Sequence, residues 1–497
     1  MLAVVLFAMS ASPTQFMAQE HIGKRSLQNH HKHYRVIDTG SFGGPSSHMT
    51  LGAHILNNNG TFTGYADTTE TDPYAPDECW DGDCLVAHSF RWNQGELNEL
   101  GVIDSGPNSE SNWLSENGLI AGDSQNGLLD PLVGFWEIRG ALWRGTEALE
   151  VGTLDGGYNS LARSVNNDGV VVGLSTTLAP DPNAMIMSFG LPYAFRTKAF
   201  RWKNGHIQDL GTLGGPDAMA LGVNEGGQIF GNSYTSCAPS AVCGNPDFGF
   251  DALTTGAFLW QNGKMTNLGS LGGTCTNALA INNRGQVVGY SFLAGDEVFH
   301  PFRWDRGKLV DLGTEAGKQG VAENLNQAGD IVGWQGLATN ESVIHATLWS
   351  HGQIIDLGAF EAGQCSAPFG INSRKQVVGA VALNCDFGDD SSLRAFLWEP
   401  GSKMVDLNTL ISPSLGLQLR NVATINDRGE MAAVAFFQDG SHRPVLLIPC
   451  DENDQESCED SPSLSPIPGM TPSFGSAARP LRSRQQMSTA ASRPLRR

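Results

Sequence analysis

The chain has 497 residues, 60 of them glycine, with 16% charged residues and a formal net charge of −20 at pH 7. Glycine without a three-residue period excludes collagen, and 40% hydrophobic residues with 11 Trp and 23 Phe exclude a disordered chain. The acidic balance argues against nucleic acid or an anionic membrane as partner, because either would demand clustered Lys and Arg.

The chain opens on an apolar run, Leu2 to Met9, which is followed by small residues. The run resembles the hydrophobic part of a secretory signal and is too short to span a bilayer, although the usual positive residues before it are missing. We therefore expect residues 1–33 to be a signal-like leader of an exported protein without a membrane span.

A repeated unit fills residues 34–449. Its two most similar copies are AFRWKNGHIQDLGTLGGPDAMALGVNEGGQIFGNS, from Ala199 to Ser233, and AFLWQNGKMTNLGSLGGTCTNALAINNRGQVVGYS, from Ala257 to Ser291. Weaker copies repeat the Phe-x-Trp segment and a tight turn that starts at Asn, or once at Ser. The eight turn residues are Asn57, Ser115, Asn166, Asn224, Asn282, Asn326, Asn372 and Asn426.

Each unit contains four short runs that fit β-strands. AFRW alternates with period two, and Asn204 with Gly205 then supplies the positive φ angles of a two-residue hairpin. Four strands per unit, repeated in a ring, form the blades of a β-propeller. The run before the Asn turn is rich in small residues, such as Ala218 and Ala220, so we expect it to be the innermost strand. The strand that follows the Asn-Gly hairpin and ends in the sequence DLG is then the outermost.

The two ends of the repeat region predict how the ring closes. Tyr34 to Gly44 form an outer strand without a Phe-x-Trp strand before it, and His442 to Pro449 form a third strand without an outer strand after it. Pairing them would remove exposed strand edges. The sequence thus predicts an all-β propeller of eight four-stranded blades, or seven if the weak unit from Ser89 to Asp123 is not a blade. Residues 450–497, acidic and then rich in Ser, Pro and Arg, are predicted to be a disordered tail.

Several segments of the repeat carry a resemblance to a known family. They are HSFRW at His88, HPFRW at His300, and AFRW or AFLW followed by DLGTLGG and INNRGQVVG. In these segments the chain resembles the HAF-repeat family of extracellular bacterial repeat proteins. The resemblance covers residues 34–449. It implies an exported, propeller-like protein, but it brings no activity and no catalytic residues. The motif histidine is matched at His88, His300, His345 and His442, and is replaced elsewhere by Gly140, Lys198, Gly256 and Arg394.

Residue types that recur in every unit are expected to serve the scaffold. The acids near the end of the fourth strand are predicted to accept hydrogen bonds from turn N–H groups. The Phe-x-Trp tryptophans are predicted to pack between blades. The acids in question are Asp209, Asp311, Asp356 and Asp406.

Non-repeating sequence falls between the second and third strands, so we expect it on one face of the ring. The long inserts are Ala66–His88, Ser124–Ile138, Thr176–Lys198, Ser233–Gly256 and the shorter Val381–Arg394. Aromatic rings beside carboxylates suit sugars, and loops on a rigid scaffold commonly carry binding sites. The structural alternative is that these aromatics form small cores under the loops. The candidate ligand-binding residues are Tyr74, Trp80, Asp81, Asp83, Trp136, Tyr193, Phe248, Asp386 and Asp389.

Nine cysteines without a CxxC spacing favour disulfides over zinc, and hence an oxidising compartment. The predicted pairs are Cys79 with Cys84, Cys237 with Cys243, Cys365 with Cys385, and Cys450 with Cys458, which leaves Cys275 unpaired. No cofactor or catalytic metal is predicted. Calcium bound by Asp77, Asp81 and Asp83 is the alternative considered, although no complete EF-type loop is present.

The local motifs GxSxG, HExxH, GxxxxGK[ST] and GxGxxG do not occur. The sequence therefore predicts a monomeric, non-catalytic propeller, extracellular, periplasmic or on the cell surface, that binds a carbohydrate or an extracellular protein through its insert-bearing face. Two alternatives stand beside it: a polysaccharide hydrolase or lyase that uses insert carboxylates, and a structural or adhesive surface protein.

Overall fold

A computed structural model describes residues 33–450, apart from 77, 78, 133, 135, 182–194, 246–249, 316, 338, 339 and 341. The side chains of residues 237–242, 244, 245 and 250–252 are also outside this description. All of the described residues belong to one compact unit.

The described residues form 32 strands in eight antiparallel sheets of four strands each. Seven sheets, blades 1 to 7, use four consecutive strands, and each strand pairs with the next along the chain. Blade 1 contains β2 (Gly43–His48), β3 (Phe62–Thr71), β4 (Leu85–Asn93) and β5 (Glu96–Glu99). Blade 2 contains β6 (Ser109–Leu114), β7 (Ile120–Leu129), β8 (Trp136–Arg144) and β9 (Glu147–Glu150). Blade 3 contains β10 (Ser160–Val165), β11 (Val171–Pro180), β12 (Phe195–Lys203) and β13 (His206–Asp209).

The next four blades repeat this arrangement. Blade 4 contains β14 (Ala218–Val223), β15 (Ile229–Asn245), β16 (Phe250–Gln261) and β17 (Lys264–Asn267). Blade 5 contains β18 (Gly272–Ile281), β19 (Val287–Leu293), β20 (Phe299–Asp305) and β21 (Lys308–Asp311). Blade 6 contains β22 (Gly320–Leu325), β23 (Ile331–Gly336), β24 (Ile344–Ser350) and β25 (Gln353–Gly358). Blade 7 contains β26 (Cys365–Ile371), β27 (Val377–Ala382), β28 (Leu393–Trp398) and β29 (Val405–Asp406). Single 3₁₀ turns occupy Asp390–Ser392, Leu407–Thr409 and Pro413–Leu415.

Blade 8 joins the two ends of the repeat region. It contains β30 (Leu417–Ile425), β31 (Met431–Phe437), β32 (His442–Pro449) and, as its outer strand, β1 (Tyr34–Asp38). The register runs from Tyr34 opposite Pro449 to Asp38 opposite Val445. Arg443 adds an ion pair to Asp38 at 2.9 Å. The eight-bladed fold and its closure, both predicted from the sequence, are therefore confirmed.

The core lies between neighbouring blades. From blade 2 to blade 8, the first strands of adjacent blades contact one another, as expected for the strands nearest the axis. Trp202 of blade 3 is 4% exposed and packs with Leu142 of blade 2, and Trp260 of blade 4 packs with Val172 of blade 3. The predicted role of the Phe-x-Trp residues in packing between blades is thereby confirmed.

A ring of buried asparagine side chains connects the blades. Each turn Asn donates from Nδ2 to the carbonyl oxygen of the next turn residue, at 3.0–3.2 Å, and Asn426 closes the ring onto Asn57. Where Ser115 replaces Asn, Asn117 Nδ2 donates to Asn167 O at 2.8 Å instead. Asparagine recurs in the repeat because one side chain both caps its own turn and bonds to the next blade.

Asn282→Ala tests this ring. The Asn282 side chain accepts from the backbone N–H groups of Arg284 and Gln286 and donates to Asn326 O, and it is 1% exposed. Removing it leaves buried groups unpaired, so we expect a loss of about 2 kcal/mol in unfolding free energy, measured by urea denaturation. The neighbouring Asn283→Ala removes one exposed acceptor and should change stability by less than about 0.5 kcal/mol. Equal losses in both variants would contradict the argument.

The recurring acids cap turns as predicted. Asp209 Oδ1 accepts from Gly211 N at 2.8 Å, and Asp311, Asp356 and Asp406 do the same in their blades. In six blades the basic residue four positions before the Trp position pairs with the acid of its blade, for instance His300 with Asp311 at 2.9 Å. Arg394 of blade 7 instead donates to the carbonyl oxygens of Ser391 and Leu393.

The strand register corrects two positions of the motif histidine. In blade 2 the equivalent residue is Arg139 and not Gly140, because Arg139 lies opposite Ser124. In blade 8 it is Arg443 and not His442, because the outer strand supplies Asp38 as its partner.

Candidate functional site

The inserts extend the second and third strands of their blades and emerge on one face of the ring. We number them by blade: insert 1 (66–88), insert 2 (124–138), insert 3 (176–198), insert 4 (233–256) and insert 7 (381–394). Inserts 1 to 4 follow one another in neighbouring blades. A single sequence position, seven residues before the turn residue of the next blade, holds each of them in place.

In blade 2 this anchor position is Asn108, which is fully buried. Its Oδ1 accepts from Ala87 N at 2.8 Å, while its Nδ2 donates to Asp72 of insert 1 at 2.9 Å and to Gln125 of insert 2 at 3.0 Å. One amide therefore fixes two inserts against each other.

In blade 3 the anchor is Asn159, with the same geometry. Its Oδ1 accepts from Ile138 N at 2.9 Å, and its Nδ2 donates to Asp130 of insert 2 at 2.7 Å. Its backbone N–H donates to Thr176 Oγ1 at the start of insert 3. Inserts 2 and 3 are thus joined as inserts 1 and 2 are.

In blade 4 the anchor is a carboxyl group, Asp217. Its Oδ1 accepts from Thr197 N, and its insert partner is Asp181 of insert 3. Burial and the Asp181 carboxylate together raise the pKa of Asp217 to about 7. Two buried carboxyl groups in contact share a proton, because both cannot ionise at low cost.

In blade 5 the anchor is Cys275, which forms a disulfide with Cys243 of insert 4. The prediction that Cys237 pairs with Cys243 and that Cys275 stays unpaired is therefore wrong. The short separation along the chain suggested a local bridge, whereas the fold brings insert 4 to the anchor position of the next blade. The Cys237 side chain lies outside the described residues.

The other predicted disulfides fall on described residues in part. Cys79 with Cys84 and Cys365 with Cys385 are bonded as predicted. Cys450 is disulfide-bonded, and its predicted partner Cys458 lies outside the described residues. The Cys79–Cys84 bridge tightens insert 1, whose buried Asp72 accepts from the backbone N–H groups of Tyr74 and Trp80.

The structure brings two of the predicted aromatic residues together across inserts 1 and 2. The rings of Tyr74 and Trp136 meet edge to face with their centroids 3.7 Å apart, and both are half-buried. Trp136 also lies opposite Leu129 in the insert 2 hairpin. The two rings therefore pack against each other between inserts 1 and 2, and part of each ring stays exposed.

Exposed leucines lie in insert 2, which carries Trp136, and in the neighbouring insert 3. Among the described residues, the exposed large hydrophobic side chains are Leu128 (59%), Leu129 (51%), Leu132 (48%), Leu178 (47%) and Leu383 (38%). The first three lie in insert 2 and Leu178 lies in insert 3, whereas Leu383 lies apart in insert 7. We call the half-buried Tyr74 and Trp136, together with the exposed Leu128, Leu129, Leu132 and Leu178, the insert surface.

Asp81 and Asp83 do not join the insert surface but meet a buried cluster at the junction of blades 8 and 1. His48 Nε2 lies 3.4 Å from Asp81 Oδ2 and 3.9 Å from Asp67 Oδ1. The His48 ring stacks on Tyr65, with centroids 4.9 Å apart.

The protonation states of this cluster follow from burial. Burial and a hydrogen bond with Asp83 raise the pKa of Asp67 to about 9, so Asp67 keeps a proton at neutral pH. Burial and the neighbouring His48 lower the pKa of His442 to about 4, so that ring is neutral. Asp67 is inaccessible to solvent and His48 is 9% exposed. We therefore assign this cluster to the packing of blade 8 against blade 1 and not to the binding of a ligand from solvent.

The remaining predicted residues have structural roles or fall outside the description. Asp386 accepts from Gly388 N at 2.9 Å, and Asp389 accepts from Ser391 N and Ser391 Oγ at the start of a 3₁₀ turn. Both carboxylates thus cap turns within insert 7, and their role as ligands stays a prediction. Tyr193 and Phe248 lie outside the described residues.

The calcium alternative is untested as a whole, because Asp77 lies outside the described residues. In the part of the chain that is described, no group of three His, Cys, Asp or Glu side chains has the arrangement of a metal site. None of the helices in that part is long and apolar enough to cross a membrane.

Sequence reasoning missed the anchor position and the exposed leucines. The anchor residues are Asn, Asp and Cys in different blades, so no shared letter marks them, although their constant distance from the turn residue does. The leucines lie in inserts of mixed composition, and the sequence of such an insert does not reveal which apolar side chains stay exposed.

The architecture defines a class: the protein is an eight-bladed β-propeller with one insert-bearing face. No protein-family model matches the chain, and no curated protein matches it. Among solved structures it is similar to the β-propeller domain of the Trilobed protease from Pyrococcus furiosus, with 10% identity over 76% of this chain and 96% of that one and a TM-score of 0.40. It is also similar to the Pyrococcus horikoshii acylaminoacyl peptidase, with 11% identity over 78% of this chain and 57% of that one and a TM-score of 0.40. These likenesses carry no argument about activity.

Proposed function

We propose that the protein is an exported, non-catalytic binding propeller of the HAF-repeat type, whose insert surface docks a protein partner. The observation that carries the proposal is the group of exposed leucines in inserts 2 and 3, among which Leu129 lies opposite Trp136, on inserts that buried anchors hold in place. Clustered exposed apolar side chains on a folded domain mark interaction sites. Rigid anchoring reduces the entropy lost when a partner binds.

The chemistry of this surface favours a protein over a carbohydrate. Sugar sites combine aromatic faces with polar groups, whereas exposed leucines offer aliphatic contact that hydroxyl-rich ligands do not use well. The propeller region carries 22 Lys and Arg against 44 Asp and Glu, so a partner segment with apolar and basic residues complements it.

Two further observations support the remaining parts of the proposal. Disulfides Cys79–Cys84, Cys243–Cys275 and Cys365–Cys385 favour an oxidising compartment outside the cytoplasm. Two of the insert carboxylates that a hydrolase would require, Asp386 and Asp389, are already bonded to turn N–H groups.

A displayed peptide library, screened on the purified protein, tests the docking surface. We expect enriched peptides that combine apolar and basic residues. The Leu129→Ser and Trp136→Ala double variant should weaken their binding by about tenfold or more, because these two side chains are cross-strand neighbours and supply adjoining aliphatic and aromatic contact. Binding is measured by fluorescence anisotropy, with thermal unfolding as a check that the variant folds.

Leu383→Ser is the matched control, since Leu383 is exposed but lies in insert 7. It should leave peptide binding unchanged. Peptides that bind the double variant as well as the original protein would contradict the proposal. Binding of neutral glycans that the double variant loses would favour the carbohydrate alternative instead.

A further inference from the structure

The face opposite the inserts carries an open hollow between the turns of blades 1, 2 and 3. Its volume is about 530 Å³, and a second hollow of about 380 Å³ adjoins it. Arg91, Asn93 and Gly145 line both. The two hollows therefore form one groove long enough for more than a single small ring.

The charge of the groove differs from that of the propeller. The lining of the larger hollow contains two arginines, Arg91 and Arg144, and one carboxylate, Asp168, whereas the smaller hollow adds one carboxylate, Glu96, and no further base. The net positive lining is therefore confined to the larger hollow, in a propeller where acids outnumber bases by two to one. It attracts an anion by local rather than overall charge.

Both guanidinium groups retain unused N–H donors. Arg91 donates one hydrogen bond, from Nη2 to Gly118 O at 2.7 Å, so its Nη1 has no hydrogen bond to a described residue. Arg144 makes no hydrogen bond or ion pair with any described residue, and its Nη2 lies over Gly169. A carboxylate can accept from such donors in two places at once.

Comparison with other blades shows why Arg144 is unpartnered. In blades 4 to 7 the residue after the Phe-x-Trp tryptophan is hydrogen-bonded to a side chain four positions after the turn residue. The pairs are Gln261 with Gln228, Asp305 with Gln286, Ser350 with Asp330, and Glu399 with Gln376. In blade 2 the two positions hold Arg144 and Leu119, and Leu119 has no polar group to accept from it.

We propose that this groove binds an acidic sugar, with Arg91 and Arg144 at its carboxylate. Amide side chains supply the remaining recognition, because Asn93 and Asn167 line the larger hollow and Asn98 lines the smaller one. Amides both donate to and accept from sugar hydroxyl groups. This site is separate from the insert surface and does not depend on the proposed function of that surface.

Isothermal titration calorimetry with tri-galacturonate, its methyl ester and inorganic sulfate tests the proposal. We expect tri-galacturonate to bind, and the ester, which has the same shape without the charges, to bind about tenfold more weakly or not at all. Arg144→Gln places at this position the residue found at Gln261 of blade 4, and it should weaken tri-galacturonate binding by about tenfold. Leu119→Gln introduces a partner for Arg144 and should weaken it as well.

Lys203→Gln is the matched control. Lys203 also follows a Phe-x-Trp tryptophan but does not line the groove, so its loss should leave binding within about twofold. The proposal is overturned if the ester binds as tightly as the acid, if sulfate binds as tightly as the sugar, or if Arg144→Gln and Lys203→Gln have the same effect.

Discussion

Gly289→Ala is expected to destabilise the propeller by about 3 kcal/mol or more. A Cβ at Gly289 would lie 1.9 Å from the carbonyl oxygen of Asn277 and 3.0 Å from Ala278 Cα, so the two innermost strands of blade 5 would have to separate. Backbone atoms in a paired strand cannot move aside as a flexible side chain does. Urea denaturation measures the effect as a lower midpoint.

This prediction applies around the ring. The first and second strands of the blades meet at a bulge, which brings a first-strand carbonyl over the glycine of the second strand. The same close approach, at 1.8–2.0 Å from a built Cβ, occurs at Gly173, Gly231 and Gly333. Repeated glycine in the VVG segment thus reflects crowding near the axis.

Gly82→Ala is the matched control, because nothing lies within 4 Å of a Cβ built there. It should change the unfolding free energy by less than about 0.5 kcal/mol. A Gly289→Ala protein as stable as the control would show that strands β18 and β19 are not packed as described.

Asp217→Asn is expected to stabilise the protein at pH 8 by up to about 3 kcal/mol. The pKa of Asp217, raised to about 7 by burial and by Asp181, means that the folded protein keeps a proton which the unfolded chain releases near its ordinary pKa of 3.8. The stability of the original protein therefore falls as the pH rises from about 4 to about 7. Asparagine carries no titrating proton, and it can donate to Asp181 as Asn159 donates to Asp130.

The pH profile of unfolding free energy checks this prediction. The Asp217→Asn variant should lack the fall between pH 4 and pH 7, and the two proteins should have similar stability near pH 4. Asn159→Asp is the reciprocal variant, since it creates a carboxyl pair with Asp130 and should introduce a comparable fall. Parallel profiles for the original protein and Asp217→Asn would refute the shared proton.

Much of the fold was predictable because strand alternation and the hairpin at Asn204 are local signals. The incomplete units that begin at Tyr34 and end at Pro449 can also be recognised locally, and each lacks the strands that the other supplies. Each blade repeats them, so weak copies gain support from strong ones. The motif position in blade 8 was harder to assign, because only pairing with β1 shows that Arg443, and not His442, faces Asp38.

Less of the candidate site was predictable, because it depends on contacts between blades. Asp386 and Asp389 were predicted as ligands, and the sequence did not show that each also accepts a hydrogen bond from a turn N–H group two residues along the chain. The pairing of Cys243 with Cys275 follows from the position of insert 4 over blade 5, which spacing does not encode. Nor does the sequence show that Asp67 is buried against His48, since these residues are brought together only when β2 pairs with β3.

The central claim is that the anchored inserts of blades 1 to 3 form one docking surface. Hydrogen exchange, followed by mass spectrometry with and without a peptide selected from the library, tests it most directly. The account predicts protection confined to inserts 1 to 3, with insert 7 and the opposite face, which carries the turns that begin at Asn (the Asn-turn face), unchanged. Protection of the Asn-turn face or of insert 7, with inserts 1 to 3 unchanged, would contradict it.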